Sequence, residues 1–202
     1  MLKILALPLG SYQTNCYIIH DETSKSCCVI DPGFEPDTVL QKVNSLGLTL
    51  DAILLTHGHF DHVGAVKDIA AETDCDVYIH AADLDLPAML TAGKLYYTHT
   101  YDEGDSLRLA GLDITVFHTP GHTPGCVCLL CETSLFSGDT LFAGSCGRTD
   151  LPGGDQNVLF QSLLRLAAME EDYTEYPGHS GSTTLAREKQ YNPFIKRARA
   201  AQ

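Results

Sequence analysis

The chain has 202 residues, a formal net charge of −13, a hydrophobic fraction of 44% and a charged fraction of 19%. This length is typical of one folded unit with a sizeable core, so we predict a single domain over residues 1–202. The acidic balance excludes a nucleic-acid-binding surface, because such binding depends on basic residues that neutralise phosphates. No apolar run reaches the ~18 residues of a membrane span, and the run Leu2–Leu7 lacks a signal-peptide cleavage site. We therefore expect no membrane partner and a cytoplasmic location.

The eight cysteines are expected to be reduced thiols, since a chain without a signal peptide stays in a reducing compartment. Cys128 and Cys131 have the spacing of a redox pair, but they lie in the continuous apolar run Cys126–Cys131. A redox pair normally lies at a helix N-terminus. We therefore interpret these two thiols as buried residues of a strand.

Short apolar segments bounded by turn residues predict the strands of the N-terminal half. They are Leu2–Leu7, Asn15–His20, Cys27–Ile30, Ala52–Leu55 and Asp76–His80. One amphipathic helix is predicted to begin at Asp37 as its N-cap and to end at Gly47, and a second to run from about Val63 to Ala71. The stretch 87–105 has no clear pattern and is expected to form either a lid over a site or a packed connection.

The C-terminal half repeats this order of strands followed by helices. Its predicted strands are Leu107–Leu109, Leu112–His118, Cys126–Cys131, Ser134–Phe136 and Tyr173–Tyr176. A helix over Asp155–Ala168 is predicted with Asp155 as N-cap, and a last helix runs from about Thr183 to Lys189 before a C-terminal tail. Strands before helices in both halves predict an α/β protein whose two halves pack as layers.

Four side chains that can bind a metal stand together where a predicted strand ends and a helix begins. They are His57, His59, Asp61 and His62. Neutral imidazole is the commonest metal ligand, and the same ions accept carboxylates. Residues i and i+2 of an extended segment face the same side, so His57 and His59 are expected to bind one ion. Asp61 and His62 follow the turn and are expected to face a second ion.

Three later loops each place one further candidate ligand just after a strand, namely His122, Asp139 and His179. Each has a plainer explanation as a turn or surface residue, but their recurrence in the same context favours metal binding. Asp139 is the natural bridge between two ions, because a carboxylate offers two oxygens. The remaining six candidates then divide into His57, His59 and His122 for one ion and Asp61, His62 and His179 for the other.

This ligand pattern resembles the metallo-β-lactamase superfamily. Within it, the segments Gly147–Asp150 and Pro177–His179 are similar to those of short glyoxalase II-like hydrolases. The resemblance implies a four-layer αββα sandwich with two divalent metal ions at one edge of two sheets. It also implies the seven-ligand assignment given above. Zinc is the expected metal, with iron and manganese as alternatives.

The resemblance further implies a metal-dependent hydrolase, with a small-molecule thioester as the expected substrate. Asp139 is then catalytic as the bridging carboxylate, and Asp61 as a ligand that also accepts a hydrogen bond from the attacking hydroxide. Arg148 is expected to pair with a carboxylate of the substrate through its planar fork. Asp31 is a candidate partner for a ligand histidine or, equally, a turn-capping residue.

Two alternatives use the same side chains. A mononuclear iron dioxygenase acting on persulfides would use His57, His122 and Asp139, and the superfamily contains such enzymes. A lactonase would use both metals and differ only in its pocket. Asp139 stands where β-lactamases of this superfamily typically have cysteine, which disfavours antibiotic hydrolysis. No oligomeric state follows from the sequence.

Overall fold

Two mixed β-sheets lie face to face in a computed structural model of the chain, which describes residues 1–91 and 93–201. Ala92, in the stretch 87–105, and Gln202, at the end of the tail, lie outside the described residues. The first sheet has its strands in sequential order, β1 (Leu2–Leu9), β2 (Thr14–Asp21), β3 (Ser26–Ile30), β4 (Thr49–Leu54), β5 (Asp76–His80) and β6 (His99–Tyr101). Its first three strands are antiparallel, and β3 to β6 are parallel.

The second sheet has the order β14-β13-β10-β9-β8-β7. Its strands are β7 (Ser106–Leu109), β8 (Leu112–His118), β9 (Val127–Cys131), β10 (Ser134–Gly138), β13 (Thr174–Pro177) and β14 (Thr183–Thr184). A two-stranded hairpin, β11 (Leu141–Phe142) and β12 (Ser145–Cys146), stands apart from it. The helices are α1 (Pro36–Ser45), α2 (Phe60–Val63), α3 (Val66–Thr73), α4 (Gln156–Ala167), α5 (Leu185–Tyr191) and α6 (Pro193–Ala200).

Three hydrophobic layers hold these elements together. One lies between α1, α3 and the first sheet, the second between the two sheets, and the third between the second sheet and α4 to α6. Strand β2 shows how the sequence specifies this arrangement. Ile18 belongs to the first layer and its neighbour Ile19 to the second, because successive side chains of a strand face opposite sides. The predicted α/β class and four-layer αββα sandwich are confirmed.

The expected buried strand thiols lie where the apolar run places them. Cys128 faces the outer helices and Cys131 the inter-sheet layer, and both are buried on β9. All eight cysteines are free. Within the described residues, no helix combines the length and the apolar character needed to cross a bilayer.

Two predicted helix starts in the N-terminal half are wrong. Helix α1 begins at Pro36 after Glu35, so Asp37 lies in its first turn rather than at its N-cap. The single helix predicted from Val63 to Ala71 is two helices, α2 and α3, separated at Gly64 and Ala65. A Cβ atom on Gly64 would overlap the carbonyl oxygen of Gly33, so the chain passes too close to that loop for a larger residue.

The C-terminal end also differs from the prediction. Thr183 and Thr184 pair with β13 as a short strand, and helix α5 begins only at Leu185. The predicted tail contains helix α6, whose first turn is capped by the side chain of Asn192. By contrast, Asp155 caps α4 as predicted, accepting hydrogen bonds from the backbone N–H groups of Asn157 and Val158.

Strand direction places the candidate ligands at one edge of the sandwich. Strands β8, β10 and β13 run in the same direction, so the loops that follow them emerge at the same edge of the second sheet. His122, Asp139 and His179 lie in those loops, and His57 to His62 lie in the loop and short helix after β4. In the described part of the stretch 87–105, Leu95 packs on the first hydrophobic layer. Leu90 lines a cavity beside the candidate ligands.

Candidate metal centre

The structure brings six of the seven predicted ligands into two adjoining groups and places the seventh, Asp139, between them. In the first group, His57, His59 and His122, one ring nitrogen from each residue lies within 4.8 Å of the other two. Nδ1 of His59 lies 2.9 Å from Nε2 of His122. All three imidazoles are buried. They come from the loop after β4 and the loop after β8, so the first group joins the two sheets.

The second group consists of Asp61, His62 and His179, whose ligand atoms also lie within 4.8 Å of one another. Oδ2 of Asp61 is 3.2 Å from Nε2 of His179 and 3.7 Å from Nε2 of His62. The two groups have the same members as the two sets anticipated from the sequence.

Asp139 lies between the groups. Its Oδ2 is 3.5 Å from Nε2 of His122 and 3.7 Å from Nε2 of His179, and its Oδ1 is 3.4 Å from Nε2 of His62. The carboxylate therefore faces one member of the first group and two of the second. This is the geometry expected of a bridging ligand.

Two observations show that these residues fit divalent metal ions. Nε2 of His57, Nε2 of His62 and Oδ1 of Asp139 are buried and have no hydrogen-bond partner among the described residues. Buried polar atoms without partners are costly, and a bound cation would satisfy them. In addition, ligands bound tetrahedrally at about 2.0–2.1 Å lie roughly 3.3 Å apart, close to the separations found here.

The ionisation states of the first group suit metal binding. Burial, reinforced by the other imidazoles, lowers the pKa of His57, and burial lowers the pKa of His59 to about 4. Both rings are therefore neutral at pH 7, which is the form that binds metal. Burial alone would raise the pKa of Asp139, but the neighbouring His62 and His122 lower it below the ordinary value. Asp139 is therefore ionised.

In the second group, burial would lower the pKa of both histidines. Asp139 and Asp31 nevertheless raise the pKa of His62, and Asp61 raises that of His179. A metal ion must therefore displace a proton there.

Hydrogen bonds to the opposite ring nitrogens orient two of the histidines. Nδ1 of His62 lies 2.9 Å from Oδ2 of Asp31, and Nδ1 of His122 lies 2.7 Å from the carbonyl oxygen of Arg148. When each Nδ1–H donates to these acceptors, the Nε2 lone pair faces the centre, as is usual for metal-binding histidines. Asp31 also accepts hydrogen bonds from the N–H and hydroxyl of Thr56. The expected contact between Asp31 and a ligand histidine is present.

Several supporting residues were missed by the sequence analysis. The hydroxyl of Thr14 donates to Oδ2 of Asp61 over 3.1 Å, and Asp83 accepts hydrogen bonds from both loops of the first group. The side chains of Asn15 and Tyr17 donate to the carbonyl oxygen of Pro177, which precedes the His179 turn. These residues are distant in sequence from the ligands, and no local pattern connects them with the site.

The turn at Gly178 allows the last ligand to approach the others. A Cβ atom there would overlap Oδ1 of Asp139 and lie 2.6 Å from Cε1 of His62. Only glycine leaves room for both side chains at this position.

A cavity of about 430 Å³ opens over the centre. Its floor includes His59, Asp61, His122, Asp139 and His179, and its walls are largely apolar, formed by Tyr12, Phe60, Leu90, Phe142 and Leu151. Arg148 lines the rim, but its fork already binds Asp150 through two hydrogen bonds of 2.7 Å. The expected substrate-binding arginine thus has an acidic partner within its own loop.

The histidines outside the site have structural contacts. The rings of His80 and His118 stack with centroids 4.1 Å apart and planes 7° apart. His80 and His118 form a further candidate group with Asp102. Nδ1 of His80 accepts from the N–H of Ala82, so its Nε2 carries the proton and faces Asp102. A protonated nitrogen and parallel rings do not converge on a metal ion, so we assign no metal to this group.

Comparison with known proteins identifies the family. A sequence model of the metallo-beta-lactamase superfamily matches residues 9–179. The chain belongs to the metallo-β-lactamase superfamily. It is 34% identical over 212 residues to hydroxyacylglutathione hydrolase GloC of Haemophilus influenzae, a match that covers 96% of this chain and 98% of GloC.

Two crystal structures show the same superfamily fold. The crystal structure of BLEG-1, described as a B3 metallo-beta-lactamase, has a TM-score of 0.85 and 36% identity, covering 96% of this chain and 99% of BLEG-1. TTHA1623 in a di-iron-bound form has a TM-score of 0.81 and 41% identity, covering 94% and 99%. Proteins of this fold bind divalent metals, which agrees with the two groups of buried His and Asp side chains.

Proposed function

We propose that the protein is a dinuclear metal-dependent hydrolase whose substrates are small-molecule thioesters, of glyoxalase II type. The observation that carries the proposal is the position of Asp139 between two complete three-residue ligand groups. The relationship to GloC, at 34% identity over nearly the whole chain, supports a thioester as the substrate.

The chain's residues divide the work of this reaction. When bound, two divalent ions acidify a water molecule and polarise the substrate carbonyl. In this proposal Asp139 holds the two ligand groups in register. Asp61, whose Oδ2 accepts a hydrogen bond from Thr14, would accept a further one from the attacking oxygen. In the overall reaction, a C–O bond forms, the C–S bond breaks and the thiolate leaves. A thiol has a pKa of about 8.5, so the site requires no strong general acid for this leaving group.

The resident metals are proposed from the ligand chemistry. Zinc is the default for a site rich in imidazole, and iron and manganese accept the same His and Asp donors. The relative TTHA1623 is described in a di-iron-bound form, which makes iron the first alternative. We further propose a cytoplasmic location, in keeping with eight free cysteines.

The first test is thiol release from S-lactoylglutathione by protein reconstituted with zinc, and separately with iron. Fast release that a chelator abolishes supports the proposal. His59→Ala removes one ligand of the first group and is expected to reduce turnover at least a hundredfold. His99→Ala, which changes an exposed histidine on β6, is the matched control and should keep full activity.

The competing activities give different results. One iron per chain, with oxygen consumed and sulfite produced from glutathione persulfide, would establish the dioxygenase instead. Faster turnover of a lactone or of a chromogenic cephalosporin than of any thioester would assign the same metal centre to a different substrate. Unchanged thioesterase activity in His59→Ala would contradict the two-metal mechanism.

A further inference from the structure

Asp83 is a buried carboxylate that contacts neither the cavity nor any candidate ligand side chain. It ends the short 3₁₀ helix Ala81–Asp83 after β5, and its side chain has no solvent exposure. Burying a carboxylate is costly unless several donors satisfy it. Burial therefore raises the pKa of Asp83, although its hydrogen-bond donors act in the other direction.

Three donors converge on this carboxylate from the two loops that carry the first ligand group. The N–H of Gly58 donates to Oδ2 over 2.7 Å, and the hydroxyl of Thr123 donates to the same oxygen over 2.9 Å. The N–H of Gly125 donates to Oδ1 over 2.6 Å. Gly58 lies between His57 and His59, and Thr123 follows His122. One side chain thus binds the residue between His57 and His59 and two residues that follow His122.

The close approach of Asp83 to these loops depends on glycine. A Cβ atom on Gly125 would lie 2.6 Å from Oδ1 of Asp83, and one on Gly58 would lie 3.4 Å from its Cβ. The two loops therefore pack directly against the carboxylate. A displacement of Asp83 must move them as well.

The second ligand group has different supports. Thr14 donates a hydrogen bond to Asp61, and Asp31 accepts one from His62. Among the described residues, no hydrogen bond links Asp83 to a side chain of the second group. The hydrogen bonds that the Asp83 carboxylate accepts all come from the loops of His57, His59 and His122. Asp31 reaches both groups, because the hydroxyl of Thr56, which donates to it, also lies 3.2 Å from Nδ1 of His57. The support from Asp83, by contrast, is confined to the first group.

We propose that Asp83 is the positioning residue of the first metal group, setting its affinity without touching metal or substrate. This inference rests on the two-metal centre of the proposed function. Asn at position 83 has one acceptor oxygen and an NH₂ group that would face a backbone N–H, so it cannot satisfy all three donors. Loss of such a supporting contact typically costs 10- to 100-fold in metal affinity.

The test measures metal binding rather than activity. Metal-free protein is titrated with Zn²⁺ in competition with a chromophoric chelator, and with Co²⁺ to follow the ligand-field spectrum of each site. Asp83→Asn is expected to weaken one binding step 10- to 100-fold and leave the other within about twofold. Thr14→Val, which removes the hydroxyl that supports Asp61, is the matched variant and should weaken the opposite step.

Thr123→Val provides a second route if Asp83→Asn does not fold, because it removes one of the three donors and leaves the carboxylate in place. It should weaken the same step as Asp83→Asn, by a smaller factor. Wild-type affinity at both steps in Asp83→Asn, or equal weakening of both, would overturn the inference.

The binding measurement also separates this inference from the proposed function. Two binding steps with no thioesterase activity would remove the substrate assignment and leave the role of Asp83 standing. A wild-type chain that binds one ion would contradict the two-metal centre. The inference on Asp83 would then survive only if Asp83→Asn weakened that single step and Thr14→Val did not.

Discussion

The guanidinium of Arg148 is held by Asp150 two residues further on, with Nε and Nη2 each 2.7 Å from a carboxylate oxygen. Both side chains are exposed, and Arg148 lies at the rim of the cavity. The pair neutralises the positive charge of Arg148, which lines the cavity. A substrate carboxylate must therefore compete with Asp150 for the same fork, and a bidentate fork accepts only one such partner well.

Asp150→Asn is accordingly expected to improve binding of carboxylate-bearing thioesters. We predict a severalfold lower KM for S-lactoylglutathione with kcat nearly unchanged. The expected change in KM is modest because surface ion pairs are weak and screened. The acetyl thioester of N-acetylcysteamine, which has no carboxylate, is the control and should keep its KM. An unchanged KM for both substrates would show that Arg148 does not bind the substrate.

Gly178→Ala is expected to disrupt the metal centre without unfolding the protein. The new methyl group would displace Asp139 and His62, the two side chains that meet at the boundary between the ligand groups. We predict at least a tenfold loss of metal affinity, measured by chelator competition. Gly181→Ala is the matched control, because a Cβ atom there has no neighbour within 4 Å. Equal metal affinity in the two variants would contradict the assigned crowding.

Asp31→Asn is predicted to weaken metal binding by about 10- to 100-fold, because the amide loses the charge that orients His62. The backbone at position 31 has φ of 51°, in the left-handed region that asparagine adopts more readily than most residues. The substitution therefore adds little backbone strain. Metal content after dialysis measures the effect, and Asp37→Asn on the surface of α1 should retain wild-type content.

Glu175 is predicted to make the free energy of unfolding depend on pH. Burial, reinforced by the charge of Glu188, raises the pKa of Glu175 to about 8, although the hydroxyl of Ser137 acts in the other direction. Between about pH 5 and 8 the folded chain keeps this proton while the unfolded chain loses it. The stabilisation of the fold that protonated Glu175 contributes is therefore complete below about pH 5 and is lost as the pH rises through about 8.

Glu175→Gln keeps a neutral side chain of the same shape at every pH. The free energy of unfolding of each protein is measured in urea at pH 5 and pH 8.5. The decrease between these pH values should be smaller in the variant than in the wild type, by about 2–4 kcal/mol. Identical pH dependence in the two proteins would show that Glu175 is ionised in the fold.

The sequence was most informative where local pattern and topology coincide. The candidate ligands His57, His59, Asp61 and His62 lie close together in the chain and follow an apolar strand, so their convergence at one edge and their grouping in space were predictable. His122, Asp139 and His179 were recognised because each follows a strand, and parallel strand ends meet at one edge. Ile18 and Ile19 are adjacent and both apolar, as in a strand that is buried on both faces, and they lie in different hydrophobic layers.

The supporting residues could not be predicted in this way, because their roles depend on contacts between distant segments. Asp83 is separated from Thr123 by 40 residues, and Thr14 from Asp61 by 47. The pairing of Arg148 with Asp150 depends on a side-chain rotamer, which composition and spacing do not specify. Helix α6 was missed although Asn192 and Pro193 form a recognisable start, because its apolar face is short.

The order of the ligands along the chain has a consequence for biosynthesis. The first group needs residues up to His122, whereas the second needs His179, 57 residues later by the numbering of the chain. A chain emerging from the ribosome therefore exposes all three members of the first group, and Asp61 and His62 of the second, well before His179. The first group can therefore be complete while the second still lacks His179.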